Sequence, residues 1–241
     1  MTTTESFIAH LIELRTRLLH SAVALLLVFI ALFPWAANLY TWLAHPLLAK
    51  LPKGAQMIAT DVTTPFFVPL KVAMMAAFLI ALPYILYQIW RFVAPGLYAH
   101  EKKLVWPLIL ASTVLFFCGM AFAYFIVFPV VFGFITASAP QGVAVMTDID
   151  KYLSFVLGMF MAFGITFQVP VAVVVLVRMG LVSVEKLRDI RRYVIVASFV
   201  VGAIFTPPDV VSQFMLAMPL WLLYEAGIVV ASWMKPATSV A

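Results

Sequence analysis

Long apolar runs alternate with short polar breaks along this chain, and six runs can be marked, at 21–40, 67–89, 104–128, 152–177, 193–205 and 210–233. A run of about 20 residues, at about 1.5 Å per residue in a helix, crosses the roughly 30 Å of a bilayer's hydrocarbon. The fifth run is shorter, roughly 20 Å as a helix, and ends at the breaker Thr206-Pro207-Pro208-Asp209. Ahead of the first run, residues 1–20 place Phe7, Leu11, Leu14 and Leu18 on one helical face and Glu13, Arg15 and Arg17 mostly elsewhere. That spacing predicts an amphipathic helix lying at a membrane surface. Trp35, Tyr40 and Trp42 mark the far interface of the first span. Residues 43–66 and 129–151 are mixed in character and read as external loops, the second holding Asp148 and Asp150 as helix-capping acids.

Composition agrees with the pattern. With 65% hydrophobic side chains over 241 residues and a mean hydropathy of +1.11, the chain carries more apolar surface than a soluble fold could bury. The expectation is an all-α integral membrane protein, a single polytopic domain over 1–241 with kinked helices. The net charge of +5 does not point to nucleic acid, because the basic residues sit in short loops flanking apolar runs. Arg15, Arg17, Arg91, Lys102, Lys103, Arg178, Lys186, Arg188, Arg191, Arg192 and Lys235 fall on one side of the six-span arrangement; Lys50, Lys53, Lys71 and Lys151 fall on the other. The excess places both termini in the cytoplasm. The lone Cys118 excludes a disulfide framework.

Candidate chemistry is sparse. The break Trp90–Lys103 turns at Pro95-Gly96 and holds one acid, Glu101, which is either a ligand for a cationic partner or a loop acid balancing its neighbouring lysines. Gln168, Gln213 and Glu225 are polar positions within or beside the spans. Each needs a partner there: a neighbouring span, a docked helix or, for Glu225, an ion-pair partner or a proton. Pro83, Pro107, Pro129, Pro170 and Pro219 are expected kinks. No phosphate-binding loop, metal-spaced histidine pair or nucleophile turn occurs in the sequence, so no catalytic or metal-binding residue is assigned and the chain is expected to act by binding rather than as an enzyme. Two function classes follow from the residues: a receptor for a cationic peptide and for membrane helices, or a polytopic small-solute secondary transporter. The latter would be expected to show paired interrupted spans in two related halves.

HLIELRTRL (10–18), ATDVTTPFF (59–67), FVAPGLYAHEKK (92–103), GMAFAYF (119–125) and FTPPDVVSQ (205–213) together resemble the TatC family, the multispanning core of the twin-arginine protein translocase. The resemblance implies a six-span, glove-shaped bundle that recognises the twin-arginine signal peptides of folded cargo and needs no cofactor, transport being driven by the proton motive force. It implies that Phe92, Pro95, Leu97 and Glu101 in the first cytoplasmic loop, with Glu13, Leu14 and Arg15, receive the signal peptide. Paired guanidiniums suit carboxylates in fork geometry. It further implies docking of single-span TatA and TatB at Thr206 and Gln213, with Gln168 as another polar contact, and self-association in a larger complex. Family members commonly carry glutamate at the position of Gln168, which here cannot ionise. No transit peptide is recognisable, which favours a bacterial inner membrane.

Overall fold

One helix, α1 (Thr3–Leu32), carries both the amphipathic N-terminal segment and the first apolar run in the computed structural model, which describes residues 3–48, 57–93, 105–137, 147–206 and 209–233. The expected surface helix and first span therefore run together. No proline or glycine interrupts the segment, and its hydroxyls turn back on their own helix, Thr16 donating to the Ile12 carbonyl at 2.9 Å and Ser21 to the Arg17 carbonyl at 3.0 Å. A 3-10 turn at Phe33–Trp35, with Pro34 inside it, leads into α2 (Ala36–Leu48).

Helix α3 (Thr64–Val93) packs on α1 and α2 and stays continuous through Pro69 and Pro83. Its buried positions include Val68, Val72, Ala73, Ala77 and Ala81, small side chains that let helix backbones approach closely. Beside it, β1 (Met57–Ile58) and β2 (Thr147–Asp148) form a two-residue parallel pair. Asp148 Oδ1 accepts the Asp150 and Lys151 amides at 2.9 and 3.0 Å, capping α6 (Ile149–Thr166), while Oδ2 accepts the Thr60 amide at 3.1 Å and the Thr60 hydroxyl. Asp150 binds Lys71 Nζ at 2.5 Å. The two acids thus cap a helix and tie it to neighbouring chain.

These elements, with the start of α6, form one of two compact units into which the chain divides. The other holds most of α4 (Val105–Phe122), a π-turn at Ala123–Val127, α5 (Phe128–Ala137), the rest of α6, α7 (Val169–Arg178), α8 (Val184–Asp189), α9 (Arg191–Phe205) and α10 (Val210–Trp233). The π-turn precedes Pro129, whose missing N–H and bulky ring disfavour a regular α-turn. Within this unit Gly119 approaches the Phe163 carbonyl so closely that an added Cβ would lie 2.5 Å from it. Gly180, at φ 70°, closes α7: its amide donates to Val177 and that of Leu181 to Leu176, a paired terminus that favours glycine. The basic 178–192 segment then folds onto α10 through α8. Leu187, Val173, Tyr224, Ile228 and Ala231 form a common buried cluster, and Tyr224 donates its hydroxyl to the Leu187 carbonyl at 2.8 Å.

Five stretches among the described residues are long and apolar enough to cross a membrane: His10–Leu43, Thr64–Val93, Trp106–Phe134, Ile149–Arg178 and Val210–Trp233. The remaining run, α9, has 15 residues, about 22 Å of helix.

The Asp148 staple carries a pH prediction. The Thr60 hydroxyl and the backbone amides that Asp148 accepts hold its carboxyl down from an ordinary value of 3.8 to about 2. The lowered value means that the tie is fully present above the ordinary value and is lost as pH falls from there through about 2. Hydrogen exchange at residues 57–60 is expected to stay slow from neutral pH to about 5, and to quicken at neutral pH in Asp148→Ala.

Candidate functional site

Two polar stripes face each other where the start of α1 meets the end of α3. Glu13, Thr16, Arg17 and His20 follow the i, i+3, i+4, i+7 spacing of one helix face, as do Tyr84, Tyr87, Gln88 and Arg91. Together they line a pocket of about 480 Å³. Charges at this depth need partners, and the seam supplies them. Glu13 Oε1 accepts from Arg17 Nε at 2.9 Å and from Nη2 of the same guanidinium; Arg17 Nη1 donates to Gln88 Oε1 at 3.3 Å, and Gln88 Nε2 donates to the Tyr84 hydroxyl at 2.7 Å. Gln88 is buried, and the Arg17 side chain is 16% exposed. At the rim, Arg91 donates to the Tyr87 hydroxyl at 2.9 Å.

The second oxygen of Glu13 has no hydrogen-bond partner among the described residues. It lies 4.0 Å from His10 Nδ1, and the His10 ring stacks on Phe92 at 4.2 Å with an 18° interplanar angle. The structure therefore brings together Glu13 and Phe92, two residues singled out in the sequence, through a histidine that was not. Leu14 and Arg15 are exposed and line no part of the pocket. Pro95, Leu97 and Glu101 lie outside the described residues. Arg17 and Arg91 enter the sequence reading only as basic flanks, and Tyr84, Tyr87 and Gln88 not at all, although the matching helical spacing of polar positions in two otherwise apolar segments is a usable signal.

The polar positions assigned to partner helices are engaged within the chain. Gln168 stands at the break between α6 and α7, where Pro170 cannot donate an amide, and its Nε2 donates to the Ser112 carbonyl at 2.9 Å and the Gly164 carbonyl at 3.5 Å. This is the tie between neighbouring spans that the sequence left open as one alternative. Thr206 and Gln213 flank the α9–α10 turn. The Thr206 hydroxyl donates to the Gly202 carbonyl at 2.9 Å and Gln213 Nε2 to the Phe199 carbonyl at 2.9 Å, while an added Cβ on Gly202 would lie 3.0 Å from the Gln213 carbonyl oxygen. Asp209 caps α10 by accepting the Ser212 amide at 2.7 Å. Glu225 finds an ion-pair partner in Arg191 at 2.7 Å, the first of the two possibilities the sequence allowed. Among the described residues no group of three or more His, Cys, Asp or Glu side chains could hold a metal.

A family model described as Sec-independent protein translocase protein (TatC) matches residues 9–219. The chain is 50% identical to the Sec-independent protein translocase protein TatC of Haemophilus influenzae, over 96% of this chain and 91% of that protein. It is 52% identical to the TatC of Escherichia coli K12, over 93% of this chain and 87% of that protein. A crystal structure of a twin-arginine translocase receptor, TatC, is similar in fold at a TM-score of 0.83 and 41% identity, with 93% of this chain and 98% of that chain covered.

Replacing Gln168 by leucine removes the donor to Ser112 and Gly164, and the expected cost is about 1–2 kcal/mol. Thermal unfolding in detergent reads this out. An unchanged midpoint would mean that the amide does not tie the spans together.

Proposed function

This chain belongs to the TatC family of Sec-independent protein translocase proteins and is a multi-pass membrane subunit of a twin-arginine translocase, and we propose that the α1–α3 seam is where it meets the signal peptide of its cargo. The observation that carries this reading is the state of Glu13. One carboxylate oxygen is held by Arg17, which fixes the group's orientation, and the other has no hydrogen-bond partner among the described residues and lies beside the His10–Phe92 stack. A fixed carboxylate with a vacant acceptor site suits an incoming guanidinium, and a stacked aromatic beside it suits the apolar residues flanking such a group.

In this reading Glu101 is the principal ligand of the paired arginines and Glu13 the second, with Phe92, Pro95, Leu97 and Leu14 contacting the flanking apolar residues of the signal. Arg15, exposed one turn from Leu11, is a rim contact that selects orientation. In this reading the seam and both termini face the cytoplasm of a bacterium and the spans lie in the inner membrane; the basic excess of the loops supports that orientation. Single-span TatA and TatB subunits dock along α9 and α10, near Thr206 and Gln213. With the Thr206 hydroxyl and one Gln213 amide hydrogen already committed to α9 carbonyls, these two residues would contribute by shaping a short, closely packed hairpin and by offering their oxygens and the second Gln213 amide hydrogen. Gln168 contributes there through its oxygen, its amide hydrogens being engaged. The transport of folded cargo in this scheme depends on binding and assembly, with no chemical step assigned to the chain. The solute-transporter alternative is not favoured by family membership.

A twin-arginine signal peptide is expected to bind the purified protein, and to lose about tenfold or more in affinity in Glu101→Ala, as loss of a charge-assisted, bidentate contact would give. Glu13→Ala should weaken binding less, and a twin-lysine peptide should bind weakly to every variant because an ammonium lacks the planar fork. Equal binding across all these pairings would remove the assigned roles of both carboxylates.

A further inference from the structure

The pocket between α1 and α3 holds more hydrogen-bond donors than its own acceptors engage. Arg17 and Arg91 together bring ten N–H hydrogens. The acceptors facing them, Glu13 Oε1, Gln88 Oε1 and the Tyr87 hydroxyl, take four of those hydrogens in the bonds described above. Both tyrosine oxygens already accept, Tyr84 from Gln88 and Tyr87 from Arg91, so each hydroxyl proton is left to donate. Among the described residues Glu13 is the sole carboxylate lining the pocket, engaged by Arg17, and Arg91 has no carboxylate partner. The complement to such a lining is an oxyanion with several acceptor oxygens and no hydrogen to offer.

Position narrows the class of anion. Arg17 lies about two turns from the start of the apolar stretch His10–Leu43, and Arg91 in the last turn of Thr64–Val93, at the same end of the seam. Both therefore sit at the depth where lipid phosphates lie. Exposed Leu18 and Ile89, the chain neighbours of Arg17 and Gln88, carry the apolar surface onward from the pocket into the spans. A volume of about 480 Å³ is far larger than one ordered water requires.

We propose that the pocket lined by Arg17, Arg91, Tyr84, Tyr87 and His20 binds a phosphate group, the phosphodiester of an anionic lipid headgroup. The bound phosphate lies between the two guanidiniums and accepts the tyrosine protons, and its acyl chains run along the exposed faces of α1 and α3. The phosphate occupies the pocket behind Glu13, and the signal peptide, in the reading above, meets the outer edge of the same seam. An arginine of the signal would meet two like charges inside the pocket, and is directed instead to the outer oxygen of Glu13. The lipid neutralises the guanidiniums behind that carboxylate.

Native mass spectrometry of the delipidated full chain, offered phosphatidylglycerol or phosphatidylcholine, tests this. The unaltered protein is expected to retain phosphatidylglycerol about tenfold more strongly than phosphatidylcholine, as charge-assisted hydrogen bonds would give, and to lose that preference in Arg91→Gln. Tyr87→Phe, which removes only a hydroxyl, should reduce it by a smaller factor while leaving the thermal midpoint unchanged. Inorganic phosphate in large excess separates the two sources of the same chemistry: displacement of the lipid assigns the site to the free anion, and persistence of the lipid assigns it to the headgroup. Equal retention of the two lipids by the unaltered protein, or a preference that survives both substitutions, overturns the assignment. The result stands apart from the signal-peptide reading, since that is scored with Glu101→Ala and a peptide in place of a lipid.

Discussion

A polar group at membrane depth has to find its partner inside the protein, and the arrangement of both compact units follows from where those partners are. In the first unit the constraint falls on Arg17. Its guanidinium is mostly buried at the edge of an apolar helix, which is tolerable because Glu13 neutralises it from one turn away and Gln88 accepts from it across the seam. Gln88 is in turn held by Tyr84. This chain of bonds fixes the rotation of α1 against α3, so that Leu18, Val23, Leu26 and Ile30 of α1 face outward, where lipid or a partner chain can cover them.

The second unit meets the same constraint with different means. α9 is short, and Val210 to Glu225 of α10 covers about the same four turns, which brings Glu225 level with Arg191 at the start of α9. The turns of α10 beyond that point are covered by α8 and α7, through Leu187, Val173 and the Tyr224 hydroxyl bond. Gln168 performs the corresponding task where Pro170 interrupts the α6–α7 run. The seam that carries the ligand-binding reading and the hairpin that carries the partner-helix reading are thus both built around amides and carboxylates with internal partners.

Much of this was legible from the sequence. The alternation of apolar runs with polar breaks, the capping role of Asp148, and the breaks beside Pro170 and at Thr206 to Asp209 follow from local pattern, because hydropathy, caps and prolines act on neighbouring residues, whereas the role given to Glu13 comes from the family resemblance. What the pattern left out is non-local. Glu225 pairs with a residue 34 positions earlier, and Arg17 reaches Gln88 over 71 positions, pairings that depend on helix rotation and register. Gln88 sits near the end of a run, where a polar residue reads as interfacial. The division between a surface helix and a first span was drawn from a change in composition at residue 20, yet composition does not break a helix when no proline or glycine is present, and α1 passes straight through.

In the proposed function, Gln88 and Arg17 act on the signal peptide through the orientation they give to Glu13. A double-mutant cycle between Gln88→Leu and Glu13→Ala, read as the affinity for a twin-arginine signal peptide, measures that coupling. Gln88→Leu is expected to weaken binding when Glu13 is present and to have no further effect once Glu13 is alanine. Strictly additive effects, or a Gln88→Leu protein that binds as tightly as the unaltered one, would remove the orienting role.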